Sequence, residues 1–450
     1  MHARLRWPPY PYRAGFTVTD DTDRADIARV RIVYDALAAT GVRVTKTVWV
    51  APPEEPCGIP ALPHDIQCGV TLADPAYLAY CEQLSSQGFE IALHDPTAGN
   101  NRRELYMKAF TFMDRHFPRS HTHIGHARNA DHLYWQERVV ARGPLRWLLD
   151  RTVRGHQASG EDPASPYFWG DLCVERVRYM RLFRTRSLNT LAANPAMPYF
   201  EREKPFVRGW FSATKRSFAA ATTEAALDAL EAAWGMCMLY QYLCYWSDPA
   251  TGSPFPAFQT GLTRLARRRL IWTEPASRQL DRLRLVQGIF IASRDRTLWV
   301  VNTNDERVTD LQIETGARPL RPVDGIAYAA GTLVVDQLAA GEQRAVELDH
   351  VVRVCGKQAL GLASDGRVVH DFGHGRMEWD VSSGECAVTF APGLELLSPR
   401  SRASDAELTR LFIGQASILA REVMLRGRHP DLQRFVRNLS RRPSDHAAWE

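Results

Sequence analysis

Residues 15–23 read GFTVTDDTD, a run rich in Phe, Thr and Val that ends in three closely spaced acids, Asp20, Asp21 and Asp23. β-Branched and aromatic residues suit a pleated, half-buried strand. Directly behind it, within 24–40, Ile27, Val30, Val33, Tyr34 and Leu37 recur at helical spacing, and Gly41 marks the stop. A strand feeding a helix is one unit of a parallel sheet, and the unit repeats. Residues 42–50, VRVTKTVWV, alternate as a strand; Asp74 stands as N-cap of a helix to about Gln87, closed by Gly88. Residues 89–93 form the next strand, 102–117 the next helix and 120–124 a candidate strand after it. This rhythm predicts an α/β fold with parallel strands and helices outside them.

From about Gln287 the texture changes. Segments such as TLWVVNT (297–303), VTDLQIET (308–315) and GTLVVDQL (331–338) are short strands separated by turn signals, which predicts an antiparallel β-sandwich. After Ser398 a helical stripe returns, Leu408, Leu411, Phe412, Ala416, Leu419 and Val423, broken near Gly427 and Pro430. The expected division is therefore 1–285, 286–398 and a helical tail, 399–450. At 450 residues the chain is long enough for two or three such domains.

The formal charge of +5 is spread over short arginine runs, such as Arg267 to Arg269, and not gathered with aromatics on one element, which argues against a nucleic-acid binder. Residues 1–12 lack the apolar core of a signal peptide, and no stretch approaches the roughly 20 apolar residues of a membrane span. The eight cysteines form no CxxC pair, so ordinary thiols in a cytoplasmic protein are expected. A basic amphipathic tail is suited either to packing on protein or to lying on a membrane surface. Nothing in the sequence sets an oligomeric state.

In parallel β/α architectures reactive groups collect at the C-terminal ends of strands. The first such end carries Asp20 and Asp21, adjacent carboxylates that repel each other unless a cation neutralises them. The competing reading is helix capping by Thr22 or Asp23. The second end carries His94 and Asp95, and the imidazole suits zinc or another divalent ion. The third carries His121, His123 and His126, followed by Asn129, Asp131 and His132, with Gly125 permitting a sharp turn. On a strand, His121 and His123 share one face. Aromatic stretches at Tyr167 to Trp169, Trp210-Phe211 and Tyr240 to Trp246 read as core first, and as sugar-stacking surfaces where they reach a pocket mouth.

The order of strand and acid pair, strand and histidine, then a later histidine-rich strand end, resembles the polysaccharide deacetylase (NodB-homology, carbohydrate esterase 4) superfamily over about residues 10–290. The segments TDDTD, GFEIALH, HIGHARNADHLYW and NPAMPYF look like a divergent bacterial subgroup of it. The resemblance implies a (β/α) barrel, with Asp20 as general base and Asp21 and His94 as metal ligands. It places Ala98 where the family has a second histidine, and Tyr242 where the family has the acid for the leaving group. His121, His123 or His126 would then supply the missing ligand. The implied reaction is metal-dependent hydrolysis of an acetyl amide or ester on a carbohydrate, with a divalent cation, zinc for preference. Two alternatives stand beside it. One is a glycan-binding protein that kept the barrel without turnover. The other is a different metal hydrolase whose main ligands are the His121 to His126 group.

Overall fold

The computed structural model describes residues 1–56, 69–126, 129–134, 158–194, 197–200, 204–214, 217–302 and 304–355, together with the backbone of three further strands between 367 and 390. The chain divides into two compact units, one of residues 15–278 and one joining 1–14 to 279–402; the first unit also takes in 403–450, which with the expected tail helix lies outside the described residues.

The first unit is built on seven parallel strands: Ala14–Asp20, Thr45–Val48, Glu90–Leu93, Thr122–His123, Tyr179–Thr185, Arg208–Ala213 and Met236–Gln241. Each pairs in parallel with the next. The last pairs in parallel with the first, Phe16 opposite Cys237 and Thr19 opposite Tyr240, so the sheet closes into a barrel. Strands buried on both faces lose the alternation of a half-exposed sheet; Ala14–Asp20 and Arg208–Ala213 are buried along their whole length.

The outer helices start and stop for local reasons. Helix Ile27–Thr40 is capped by Asp26, whose side chain accepts from the Arg29 N–H, and it ends on Gly41 at φ 77°. Neither Thr22 nor Asp23 is its N-cap, which releases the acids of TDDTD for another role. Helix Pro75–Ser86 is capped by Asp74, as the sequence predicts. Four of the cysteines, Cys81, Cys173, Cys237 and Cys244, are buried thiols outside any disulfide.

The second unit holds a five-stranded sheet in the order Ile326–Ala329, Thr332–Leu338, Val308–Thr315, His2–Arg6, Arg353–Val354. It also holds an antiparallel three-stranded sheet of Ile289–Arg294, Thr297–Asn302 and Gln343–Glu347. The strands Arg367–Asp371, Gly375–Asp380 and Glu385–Phe390 form another antiparallel sheet. The N-terminus departs from the expected division, because the strand His2–Arg6 belongs here and not to the barrel. Leu5 pairs antiparallel with Ile313, and the buried Arg282 guanidinium donates to the carbonyls of Trp7, Thr309 and Asp310. The alternation of HARLR, with Ala3 and Leu5 buried, reads as a strand only once its distant partner is known.

Candidate metal centre

Consecutive strand residues point to opposite faces, so Asp20 and Asp21 cannot share a task. Asp20 faces the helices. Its Oδ2 accepts from the Tyr34 hydroxyl at 2.8 Å and lies 3.1 Å from Lys46 Nζ, while its Oδ1 accepts from the Leu243 N–H at 2.7 Å. Burial raises its pKa, against Lys46 and these hydrogen bonds. Asp21 turns the other way. Both its oxygens accept from Arg181, at 2.9 and 2.8 Å, and Arg181 comes from the fifth barrel strand, which is no neighbour of the first. That guanidinium also lies 4.6 Å from the Tyr240 ring centroid.

Around Asp21 the ends of other strands converge. Asp21, Asp23 and His94 each offer one ligand atom, all within 4.8 Å of one another and all buried. His94 Nε2 is 3.7 Å from Asp23 Oδ2 and 3.9 Å from Asp21 Oδ2. His126 Nε2 is 3.0 Å from Asp23 Oδ1. The Trp49 ring packs on both imidazoles, with centroids 5.9 and 5.6 Å away.

The donor set fits a divalent cation on two observations. His94 Nδ1 lies 2.6 Å from the Ile124 carbonyl oxygen, which only accepts, so the proton is on Nδ1. In the neutral ring Nε2 then carries a lone pair, is buried without a hydrogen-bond partner, and faces carboxylates. A metal-ligating histidine is held in this way, its far nitrogen donating to a carbonyl. The spacing around Asp23 agrees as well: neighbouring ligands at ~2.0–2.1 Å from a tetrahedral ion stand about 3.3 Å apart, and Asp23 stands 3.0 Å from His126 Nε2 and 3.7 Å from His94 Nε2. Burial alone would raise the Asp23 carboxyl, but His126 and then His94 outweigh it and hold it well below the ordinary range. Carboxylate oxygens and imidazole nitrogens are donors that zinc accepts.

The other residues expected at the site are placed differently. His123 gives its Nε2 to Asp95 Oδ1 at 2.8 Å and packs against Trp169, away from the ligand cluster. His121 stands before its strand, where its N–H meets Glu90 Oε1 at 3.4 Å and its carbonyl accepts from Arg178 and Tyr179. Because that strand is only Thr122–His123, the shared face expected for His121 and His123 does not extend to a shared site. Tyr242 shares a hydrogen bond with the Tyr240 hydroxyl at 2.6 Å. Burial first, then the charges of Asp23 and Asp21, push its phenol up, so it stays protonated. Ala98 is buried.

Behind the cluster lies a second polar layer. Tyr106 has one hydroxyl proton but two carboxylate neighbours, Asp95 Oδ1 at 3.0 Å and Asp131 Oδ2 at 2.6 Å. A protonated Asp131 supplies the missing donor. Burial, then the charge of Asp95, pushes Asp131 from 3.8 up to about 7. An acid raised in this way binds more protons folded than unfolded. Its contribution to stability is therefore full below pH 3.8 and lost as pH rises through about 7. Melting temperatures from pH 4 to 8 should show this loss in the wild type and a flatter profile in Asp131→Asn.

No protein-family model matches the chain, and no curated protein matches it. Among solved structures it is similar to a crystal structure of Puue allantoinase, at 12% identity and a TM-score of 0.34, over 61% of this chain and 93% of that one. The barrel and the buried acid–imidazole cluster at its strand ends stand on this chain's own geometry. They define an α/β-barrel protein with a candidate metal centre.

Proposed function

We propose that this chain is a metal-dependent hydrolase that removes an acyl group, acetyl above all, from a carbohydrate amide or ester. The observation that carries the reading is the pair of buried imidazoles, His94 and His126, set against Asp23 with Asp21 alongside. Asp23, His94 and His126 are the residues that would hold the cation. A divalent ion there would polarise the acyl carbonyl and lower the pKa of water toward neutrality.

The chain's own groups then divide the proton work. Asp21, clamped through both oxygens by Arg181 beside the cluster, accepts the proton of the attacking water; the base role that the resemblance gives to Asp20 moves one residue along, because Asp20 faces Lys46 and Tyr34. The Tyr242 hydroxyl, 2.6 Å from that of Tyr240 and kept protonated by its surroundings, serves the leaving amine or alkoxide. Tyr245, 45% exposed with its ring 5.7 Å from that of Tyr242, offers a face for a pyranose.

The test is elemental analysis of purified protein alongside acetate release from a panel of N- and O-acetylated sugars. The expected result is about one divalent ion per chain with acetate released. Protein that takes up no metal after metal-replete expression overturns the reading and favours a glycan binder without turnover.

A further inference from the structure

His126 reaches Asp23 from the chain that follows a two-residue strand, and such a segment does not by itself hold an imidazole to the tolerance that a cation demands. Two side chains do. Asp95 Oδ2 accepts from the His126 backbone N–H at 2.7 Å and from Asn129 Nδ2 at 3.2 Å. A carboxylate only accepts, so Asn129 must turn its NH₂ toward Asp95 and its carbonyl oxygen toward His126, whose Nδ1 is 3.0 Å away. That oxygen only accepts in turn. His126 Nδ1 therefore carries a proton, which leaves Nε2, 3.0 Å from Asp23 Oδ1, as the nitrogen that can ligate. One carboxylate thus sets the backbone of His126 directly and its tautomer through an amide.

Asp95 is itself fixed from the far side. Its other oxygen accepts from His123 Nε2 at 2.8 Å and from the Tyr106 hydroxyl at 3.0 Å. Its backbone sits at φ 58°, a left-handed conformation that a residue with a side chain keeps only where its surroundings hold it. Asp95 and Asn129 are both buried.

We propose that Asp95 and Asn129 form a positioning pair that aims His126 Nε2 at the cation site, with His123 as the strut behind Asp95. The inference rests on the metal-centre reading above. It gives His123 and Asn129 a part in the site that neither takes as a ligand.

The test is cobalt(II) binding by the full chain, read by chelator competition and by the visible absorption of the bound ion. The wild type should bind one cobalt ion. Asn129→Ala should weaken binding by about 10- to 100-fold, the usual effect of removing an outer partner of a ligand, and should shift the visible bands. In a His126→Ala background the same substitution should cost nothing further, because the residue it positions is gone. Unchanged affinity and bands in Asn129→Ala overturn the proposal, and so does a loss that adds in full to that of His126→Ala. A wild type that binds no cobalt removes the metal reading and this inference together, whereas a binding wild type without the coupling removes the inference alone. If Asn129→Ala does not fold, as judged by circular dichroism, Asp95→Asn is measured in the same cycle and read by the same criteria.

Discussion

Asp21→Asn should lower acetate release by about 10²- to 10⁴-fold, the usual worth of a general base, while metal content stays at the wild-type level. Asp23→Asn and His94→Ala should lose metal and activity together. The difference follows from where the carboxylates point. Asp21 is held through both oxygens by Arg181, a contact that Asn can keep in part through its one carbonyl oxygen but without the ability to take a proton. Asp23 stands against both imidazoles, so its loss opens the middle of the ligand set. None of the three acids in TDDTD caps the following helix, so no cap is lost; Asp21→Asn removes the counter-charge of the buried Arg181 and should lower the melting temperature as well. Metal content, melting temperature and acetate release measured on the three variants decide it. Equal loss of metal in Asp21→Asn and Asp23→Asn would make Asp21 a ligand and leave the base unassigned.

The second large effect is on stability. Lys46→Met should destabilise the chain by about 3–5 kcal/mol, the usual consequence of removing one partner of a buried ion pair. Lys46 and Asp20 are opposite each other in register on neighbouring barrel strands, their side chains 0% and 2% exposed. Without Lys46 the Asp20 carboxylate keeps its hydrogen bonds from Tyr34 and Leu243 but has no counter-charge. The double variant Lys46→Met/Asp20→Asn should recover much of the loss, since no charge is then stranded and Asn still accepts from the Leu243 N–H. Urea unfolding of the three proteins measures this. A single variant as stable as the wild type would mean that Asp20 folds in its neutral form.

The parallel repeat was legible where strands are simple. GFTVT, TKTV and EIAL are compact runs followed by stretches of helical spacing, and Asp74 marks the start of the helix after TKTV. The later barrel strands were not. YMRLFRT carries two arginines and MCMLYQ two thioether residues and a cysteine, so neither shows a clean apolar run. The same concealment hid half of the site. Histidines just past strand ends drew attention to His94 and His126, whereas Arg181 lay inside a strand that had not been recognised. Its signal was a lone charge between residues as buried as Met180 and Leu182. Asp23 was masked by an ordinary alternative, because an acid before a helix reads as a cap, and only the position of Asp26 three residues on removes that reading. Which of Asp20 and Asp21 faces the barrel interior depends on strand phase, which the dipeptide alone does not reveal.

The strand His2–Arg6 pairs with Val308–Thr315 and Arg353–Val354, which makes the whole of 15–278 an insertion in the sequence of the other unit. That strand reaches Val308–Thr315 only across a loop closure of some 300 residues. The barrel, whose strands all lie within that span, has its partners nearer in the chain. A protein shortened to begin at residue 15 would keep every barrel strand but Ala14 itself, yet it would leave Val308–Thr315 with an open edge, the kind of surface that invites pairing with another chain.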